Sequence, residues 1–227
     1  MSRISEGVTL LAFRSSQAKS PLYRDIEITH QRRWPGRPMG LASSIWLLLS
    51  SPGLQAIAVY RISRWLHLKR KLKRHSHQWF WRILLIPLGL LKLAVKLNAK
   101  IDIGKDCVIE SGVCFSDQGE IIFGAIKTGA GTVIGTRVTV GMSHVDRGRP
   151  DIGRNVWIGA DCVIYGTISI GEGATLLPGT VLTKSIPAGA VMTGNPARLV
   201  VRDFDNSELR AHQDIDVMGY VKALDHV

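Results

Sequence analysis

Of the seven histidines in the sequence, His144 is set apart by its surroundings. It lies in the run MSHVDRGRPD, residues 142–151, between stretches that are small, apolar and glycine-rich. A neutral imidazole titrates near pH 6.5. It can take the proton of a hydroxyl as that hydroxyl attacks a thioester, and then return it to the departing thiolate. Such a base needs a second group on its other ring nitrogen. Asp117, Glu120 and Asp146 are the nearby acids, and spacing leaves open which of them faces it. The candidate catalytic residues are therefore His144 with Asp117 and Asp146. The plain alternative is an exposed loop histidine. His67, His75 and His77 fall in a basic segment that faces solvent or lipid headgroups, and His30, His212 and His226 receive no role.

The elements that would position His144 repeat every six residues. Anchoring side chains recur at Ile103, Ile109 and Phe115, at Thr128, Ile134 and Val140, and at Ile152, Ile158, Ile164, Ile170, Leu176 and Leu182. Four residues after the anchors stand Cys107, Val113, Thr132, Val138, Val156, Cys162, Ile168, Ala174 and Thr180, all small or β-branched. A helix has no reason to repeat at six, and a simple strand repeats at two. Six fits one flat face of a triangular coil, three hexads to a turn of a parallel β-helix, with each anchor stacked about 4.8 Å above its counterpart. Glycine follows the same register, with 17 of 23 between residues 99 and 200. Residues 103 to 187 supply somewhat under five coils. A glycine-rich sandwich would place its turns irregularly, about 8 to 12 residues apart.

The period slips twice. Phe115 and Thr128 are 13 apart, which puts a bulge or corner insertion in SDQGEIIFGAIK, residues 116–127. Val140 and Ile152 are 12 apart, but the run between them is too polar for a solenoid core and should leave the coil or face outward. Irregularities of a repeat array commonly map to one functional face.

Composition narrows the function classes. The chain has 227 residues, 45% of them hydrophobic and 21% charged, with a mean hydropathy of +0.11, which excludes a wholly disordered chain. The net charge of +11 is uneven. Residues 1 to 98 hold 17 Lys+Arg against 3 Asp+Glu, residues 99 to 200 hold 9 of each, and residues 201 to 227 hold 3 against 6. A uniformly basic surface is absent and no recognition motif accompanies the patch, so nucleic acid is not an expected partner. Cys107, Cys114 and Cys162 are scattered, arguing against a disulfide framework and a metal site. Gly129-Ala130-Gly131 lacks the βαβ setting of a dinucleotide fingerprint.

The chain divides into a basic N-terminal helical region (1–98), a β-helix (99–200) and a tail or cap (201–227). Residues 1 to 38 read as polar and irregular, and 39–50 as a short helix. Ser51 can cap the next helix, with Pro52 at or near its first position. Residues 78 to 98 read as a further helix, broken near Pro87 and Gly89. The apolar run Ile83–Leu97 is shorter than the roughly 20 residues a spanning helix needs. RISRWLHLKRKLKRHSHQWFWR, residues 61–82, holds eight Lys+Arg, no acid and three tryptophans. It reads either as a membrane-interfacial element or as an internal packing and oligomerisation element. The opening MSRISEGVTLLAFRSS has no long apolar run, and the expected location is cytoplasmic, peripheral to the inner face of the membrane.

VWIGADCVIYGTISIGEGATLLPGTVLTKSIPAGAVMTGNPARLV, Val156 to Val200, resembles the closing coils of the hexapeptide-repeat acyltransferases. SPGLQAIAVYRISRWL, Ser51 to Leu66, is similar to the helix preceding the β-helix in the serine acetyltransferase branch, which includes enzymes of polysaccharide biosynthesis. The resemblance implies a left-handed parallel β-helix, acetyl-CoA as acyl donor without a metal, a homotrimer with sites between neighbouring β-helices, and His144 as general base. It implies that Gly159, Ala160, Gly179, Thr183, Lys184, Arg198 and Arg202 hold coenzyme A. Lysine and arginine would meet its phosphates, and backbone amides its pantetheine arm. Serine acetyltransferases carry a histidine where this chain has FSDQGE, Phe115 to Glu120, and another where it has Arg147-Gly148-Arg149-Pro150. The expected acceptor is therefore a sugar hydroxyl of a surface polysaccharide or its lipid-linked precursor. Serine O-acetylation, sugar N-acetylation and a non-catalytic scaffold are the alternatives.

Overall fold

The computed structural model describes residues 20–72, 89–90, 93–143 and 147–211. From Ile101 onward these residues wind into five successive coils of short strands. The first holds β1 (Ile101–Ile103), β2 (Val108–Ile109) and β3 (Cys114–Phe115). The second holds β4 (Ile121–Phe123), β5 (Lys127–Thr128) and β6 (Val133–Ile134). The third holds β7 (Thr139–Gly141), β8 (Asp151–Ile152) and β9 (Trp157–Ile158). The fourth holds β10 (Val163–Tyr165), β11 (Ser169–Ile170) and β12 (Thr175–Leu176). The fifth holds β13 (Val181–Leu182), a single bridge from Ile186 to Ile170, and β14 (Val191–Thr193).

Strands stack in parallel into three faces. Face A is β1-β4-β7-β10-β13, face B is β2-β5-β8-β11, and face C is β3-β6-β9-β12-β14. The product is a left-handed parallel β-helix behind an α-helical region, as the six-residue period and the resemblance imply. The anchors do what their spacing requires. Ile164 stacks between Val140 and Leu182, Ile158 between Ile134 and Leu176, and Thr128 between Ile109 and Ile152. All of these are buried, as are Cys107, Val113, Val138, Val156, Cys162 and Ala174 at the second small position. Burial pushes the Cys162 thiol up to about 11, so it remains a protonated core side chain. Glycine after an anchor is set by the next coil. A Cβ on Gly153 would lie 2.8 Å from Ile170 O, and one on Gly159 2.8 Å from the Pro178 nitrogen.

A coil without a neighbour leaves unpaired backbone groups, and both ends of the solenoid are covered. At the start lie α1 (Pro21–Arg33), α2 (Leu41–Ser50) and α3 (Pro52–Leu72). Tyr60 Oη and Arg64 donate to the Cys107 carbonyl, each at 2.7 Å. Arg61 donates to the carbonyls of Ile109 and Glu110 and pairs with Asp25 at 2.9 Å. Asp25, 1% exposed, also accepts the Gly112 N–H at 2.6 Å. Burial pushes its carboxyl up from the ordinary range against the pull of Arg61 and that amide. At the far end β15 (Arg198–Val201) pairs antiparallel with β14, and the Asn206 amide donates to the carbonyls of Asn155, Gly173 and Ala174. The segment after Val200 is thus a cap as far as residue 211.

One expectation changes. Residues 21–33 are helical rather than irregular, with Ser20 Oγ accepting the Tyr23 N–H at the N-terminus. The buried residues of this helix are Asp25 and His30, so no apolar stripe announces it. Arg61 and Arg64, part of the basic run, are turned to the carbonyls of the first coil. Residues 73–82 of that run, and 78–88 and 91–92 of the 78–98 helix, lie outside the described residues, although 93–99 is helical. Among the described residues no single helix is long and apolar enough to cross a membrane; α2 and the first part of α3 meet at 99°.

Candidate functional site

The coils measure their own irregularities. In the last regular turns each residue pairs with one 18 positions on, as in Ile164↔Leu182 and Ile152↔Ile170. Across the third coil the offset is 24, in Val140↔Ile164, Ile134↔Ile158 and Thr128↔Ile152. One hexad has therefore left the solenoid, between β7 and β8 at the A–B corner. The twelve-residue gap is one face plus an excursion, not two faces. The excursion's base is tied down: Ser143 N–H donates to Gly148 O at 3.3 Å and Arg147 N–H to Ser143 O at 3.2 Å. Gly148 packs so closely on Thr167, at the same corner of the next coil, that a side chain would not fit. His144 and Asp146 lie outside the described residues.

The earlier slip resolves differently. Phe115 and Phe123 are eight apart and Phe123 and Thr128 five, so the extra residues form the C–A corner Ser116–Glu120. Asp117 sits in this corner and its carboxylate is engaged. Oδ1 accepts from Ser51 Oγ at 2.5 Å and from the Gly53 N–H at 3.0 Å, and Oδ2 is 3.6 Å from Arg33. Ser51 in turn caps α3 by accepting the Leu54 N–H at 3.3 Å. Asp117 thus clamps the N-terminus of α3 to the first coil. Glu120 is exposed in the same corner.

The residues expected to hold coenzyme A fall into two groups. Gly159, Ala160 and Gly179 stack along the C–A corner, where Gly179 N–H donates to Ala160 O at 2.8 Å and Gly159 N–H to Leu176 O at 2.8 Å. Two of the three amides assigned to the pantetheine arm are thus committed to the coil ladder. Thr183 and Lys184 are exposed at the A–B corner of the fifth coil, on the same edge as the excursion. Arg198 and Arg202 are exposed on and just after β15; beside them Ala197 N–H reaches Val181 O at 3.0 Å. The excursion and the first group therefore border the same surface, the outer side of face A. Its outward side chains include Asp102, Ile122, Thr139, Val163 and Val181, of which Asp102 and Ile122 are exposed.

One residue of that surface escaped notice in the sequence. Tyr165, 39% exposed, pairs with Gly141 at the base of the excursion, and nothing lies within 4 Å of where a Gly141 Cβ would be. The signal was available, because Tyr165 follows an anchor at a position that glycine holds after Ile134, Val140, Ile152, Ile158 and Ile170. Among the described residues no group of three or more His, Cys, Asp or Glu side chains could hold a metal ion.

Residues 149–184 match the family model for the bacterial transferase hexapeptide (six repeats). The chain is a β-helix of hexapeptide repeats, similar in sequence to serine acetyltransferases. A serine acetyltransferase of Synechococcus elongatus is 28% identical over 160 residues, 69% of this chain. The match spans 60% of that relative's length. Among solved structures, the serine acetyltransferase of Neisseria gonorrhoeae aligns with a TM-score of 0.63 at 23% identity, covering 86% of this chain and 71% of that one. The coenzyme A complex of a serine acetyltransferase aligns at 0.61 and 24% identity, covering 79% of this chain and 68% of the other. These structural likenesses carry the fold. The hexapeptide match begins inside the excursion and runs from β8 to β13.

Proposed function

We propose that this chain is an acetyl-CoA-dependent O-acetyltransferase that moves the acetyl group directly onto an acceptor hydroxyl, with L-serine as the acceptor its relatives favour. The observation that carries this reading is the six-residue excursion at the A–B corner of a β-helix related to serine acetyltransferases. It holds the only histidine between residues 99 and 200. In the proposed step His144 accepts the hydroxyl proton as the oxygen bonds to the thioester carbonyl carbon. The tetrahedral oxyanion collapses, the carbon–sulfur bond breaks, and the proton goes to the coenzyme A thiolate. Lys184, Arg198 and Arg202 are the exposed cations offered to the phosphates of coenzyme A. With the Gly159 and Gly179 amides engaged, the pantetheine arm is left to Ala160, Thr183 and the outer side of face A. The assembly that suits this reading is a homotrimer in which a neighbouring β-helix closes that face.

A second reading replaces serine with a sugar hydroxyl of a polysaccharide precursor. Its support is the first-coil corner, where FSDQGE has no histidine and Asp117 is spent on Ser51 and Gly53. Thiol release from acetyl-CoA, measured with L-serine and with a panel of nucleotide- and lipid-linked sugars, separates the two. Serine-dependent release abolished in His144→Ala supports the first reading. Release with a sugar and none with serine replaces it by the second. Undiminished turnover by His144→Ala on the active acceptor overturns the base assignment in both.

A further inference from the structure

Helix α2, LASSIWLLLS, has no charged residue, and its one buried side chain is Leu47. Leu41, Ile45 and Leu49, spaced by four, run down its outer face at 86%, 59% and 75% exposure, with Trp46 beside them. A second exposed stripe, Leu90, Leu93 and Leu97, lies on the segment leading into the first coil. Gln55 joins the two. Its Nε2 donates to Leu49 O at 2.9 Å, and its Oε1 accepts from Asn98 Nδ2 at 3.5 Å. Apolar side chains gathered this way on a surface mark a place where something docks.

The charge around them says what docks. From residue 28 to residue 101 the sequence has no Asp or Glu, and outside the run 61–82 it has six Lys+Arg. Arg33 lies 5.4 Å from the Trp46 ring centroid, and Arg37 is exposed in the turn between α1 and α2. Two copies meeting through this mainly basic face, whose neighbouring acids Asp117 and Asp102 are already paired with Arg33 and Lys96, would bring cation against cation. An anionic surface neutralises it instead, while leucines enter the acyl boundary and tryptophan sits at headgroup depth. We propose that the outer face of α2, continued by the Leu90–Leu97 stripe, docks the protein on an anionic lipid bilayer. The basic run at 61–82 is not what carries this: Arg61 and Arg64 are turned to the first coil, and the apolar stripes lie outside them.

Co-sedimentation of the full chain with phosphatidylcholine vesicles, with and without phosphatidylglycerol, tests the proposal. Binding is expected to the mixed vesicles, falling at least about tenfold on neutral vesicles or in high salt. The variant Leu41→Gln/Ile45→Gln/Leu49→Gln should lose at least about tenfold of that binding. Its unfolding midpoint should be unchanged, because the three side chains are exposed. Should the triple variant fail to fold, Leu41→Gln alone carries the test at the most exposed position. No sedimentation with the mixed vesicles overturns the proposal, and so does variant binding equal to wild type. A variant that instead breaks up an oligomer formed without lipid overturns it in favour of a second copy. The measurement reads lipid binding alone, so it stands or falls independently of the proposed acetyl transfer.

Discussion

The β-helix departs from its period at two corners, and the two departures have opposite fates. At Ser116–Glu120 the extra residues are absorbed: Asp117 binds Ser51 and Gly53, and Gly119 packs on Arg137. The insertion serves as a socket for the capping helix. At 142–150 a whole hexad leaves the coil, its base tied through Ser143, Arg147 and Gly148. An irregularity in a solenoid is therefore not a site by itself. Where its polar groups find partners inside the fold, as Asp117 does, it is architecture.

That contrast can be broken by experiment, and the largest effect is expected in the excursion. His144→Ala should lower kcat/KM for acetyl transfer by about 10² to 10⁴ while leaving the melting temperature unchanged. The mirror-image outcome is expected at the other corner. Asp117→Ala leaves the Ser51 hydroxyl and the Gly53 N–H without their acceptor, at a cost of roughly 1.5–3 kcal/mol, read as a shift in the denaturant midpoint. Its effect on kcat/KM should be small by comparison. A hundredfold rate loss at full stability would return Asp117 to the vicinity of His144. Ser51→Ala, which removes the cap of α3 and one partner of Asp117, should cost about 1 kcal/mol.

The sequence carried the solenoid well because its signal is periodic and one-dimensional. Ile152, Ile158, Ile164, Ile170, Leu176 and Leu182 stack in the register their spacing implies, and the polar run after Met142 leaves the coil because Arg147, Arg149 and their neighbours cannot face its core. What periodicity could not carry were partnerships between distant residues. Helix α1 was invisible because it buries Asp25 rather than a leucine, and Asp25 is tolerable there only through Arg61, 36 residues on, and the Gly112 N–H. Asp117 looked like a free acid because its partners lie more than 60 residues earlier. The Gly159 and Gly179 amides looked available because which N–H groups a coil ladder consumes depends on which way each peptide faces.

A corner that keeps the period supplies the control for both irregular ones. Glu110, at the B–C corner of the first coil, accepts the Ala130 N–H at 3.1 Å and lies 3.3 Å from both Lys127 and Arg154, which reach it from the second and third coils. Partial burial pushes its carboxyl up, but the Ala130 amide, Lys127 and Arg154 together hold it below the ordinary value of 4.5. The folded state thus keeps this charge at a pH where the unfolded chain would take up a proton. The resulting stabilisation is complete above the ordinary glutamate range and is lost as pH falls through the lowered folded value. Because both cations are largely solvated, Glu110→Gln should cost under about 1 kcal/mol near neutral pH. The stability curves of variant and wild type should converge as the pH drops below that range. A cost as large as that of Asp117→Ala would mean that a regular corner carries as much structural energy as an inserted one. A gap that persists unchanged into acid would remove the ion pairs as its source.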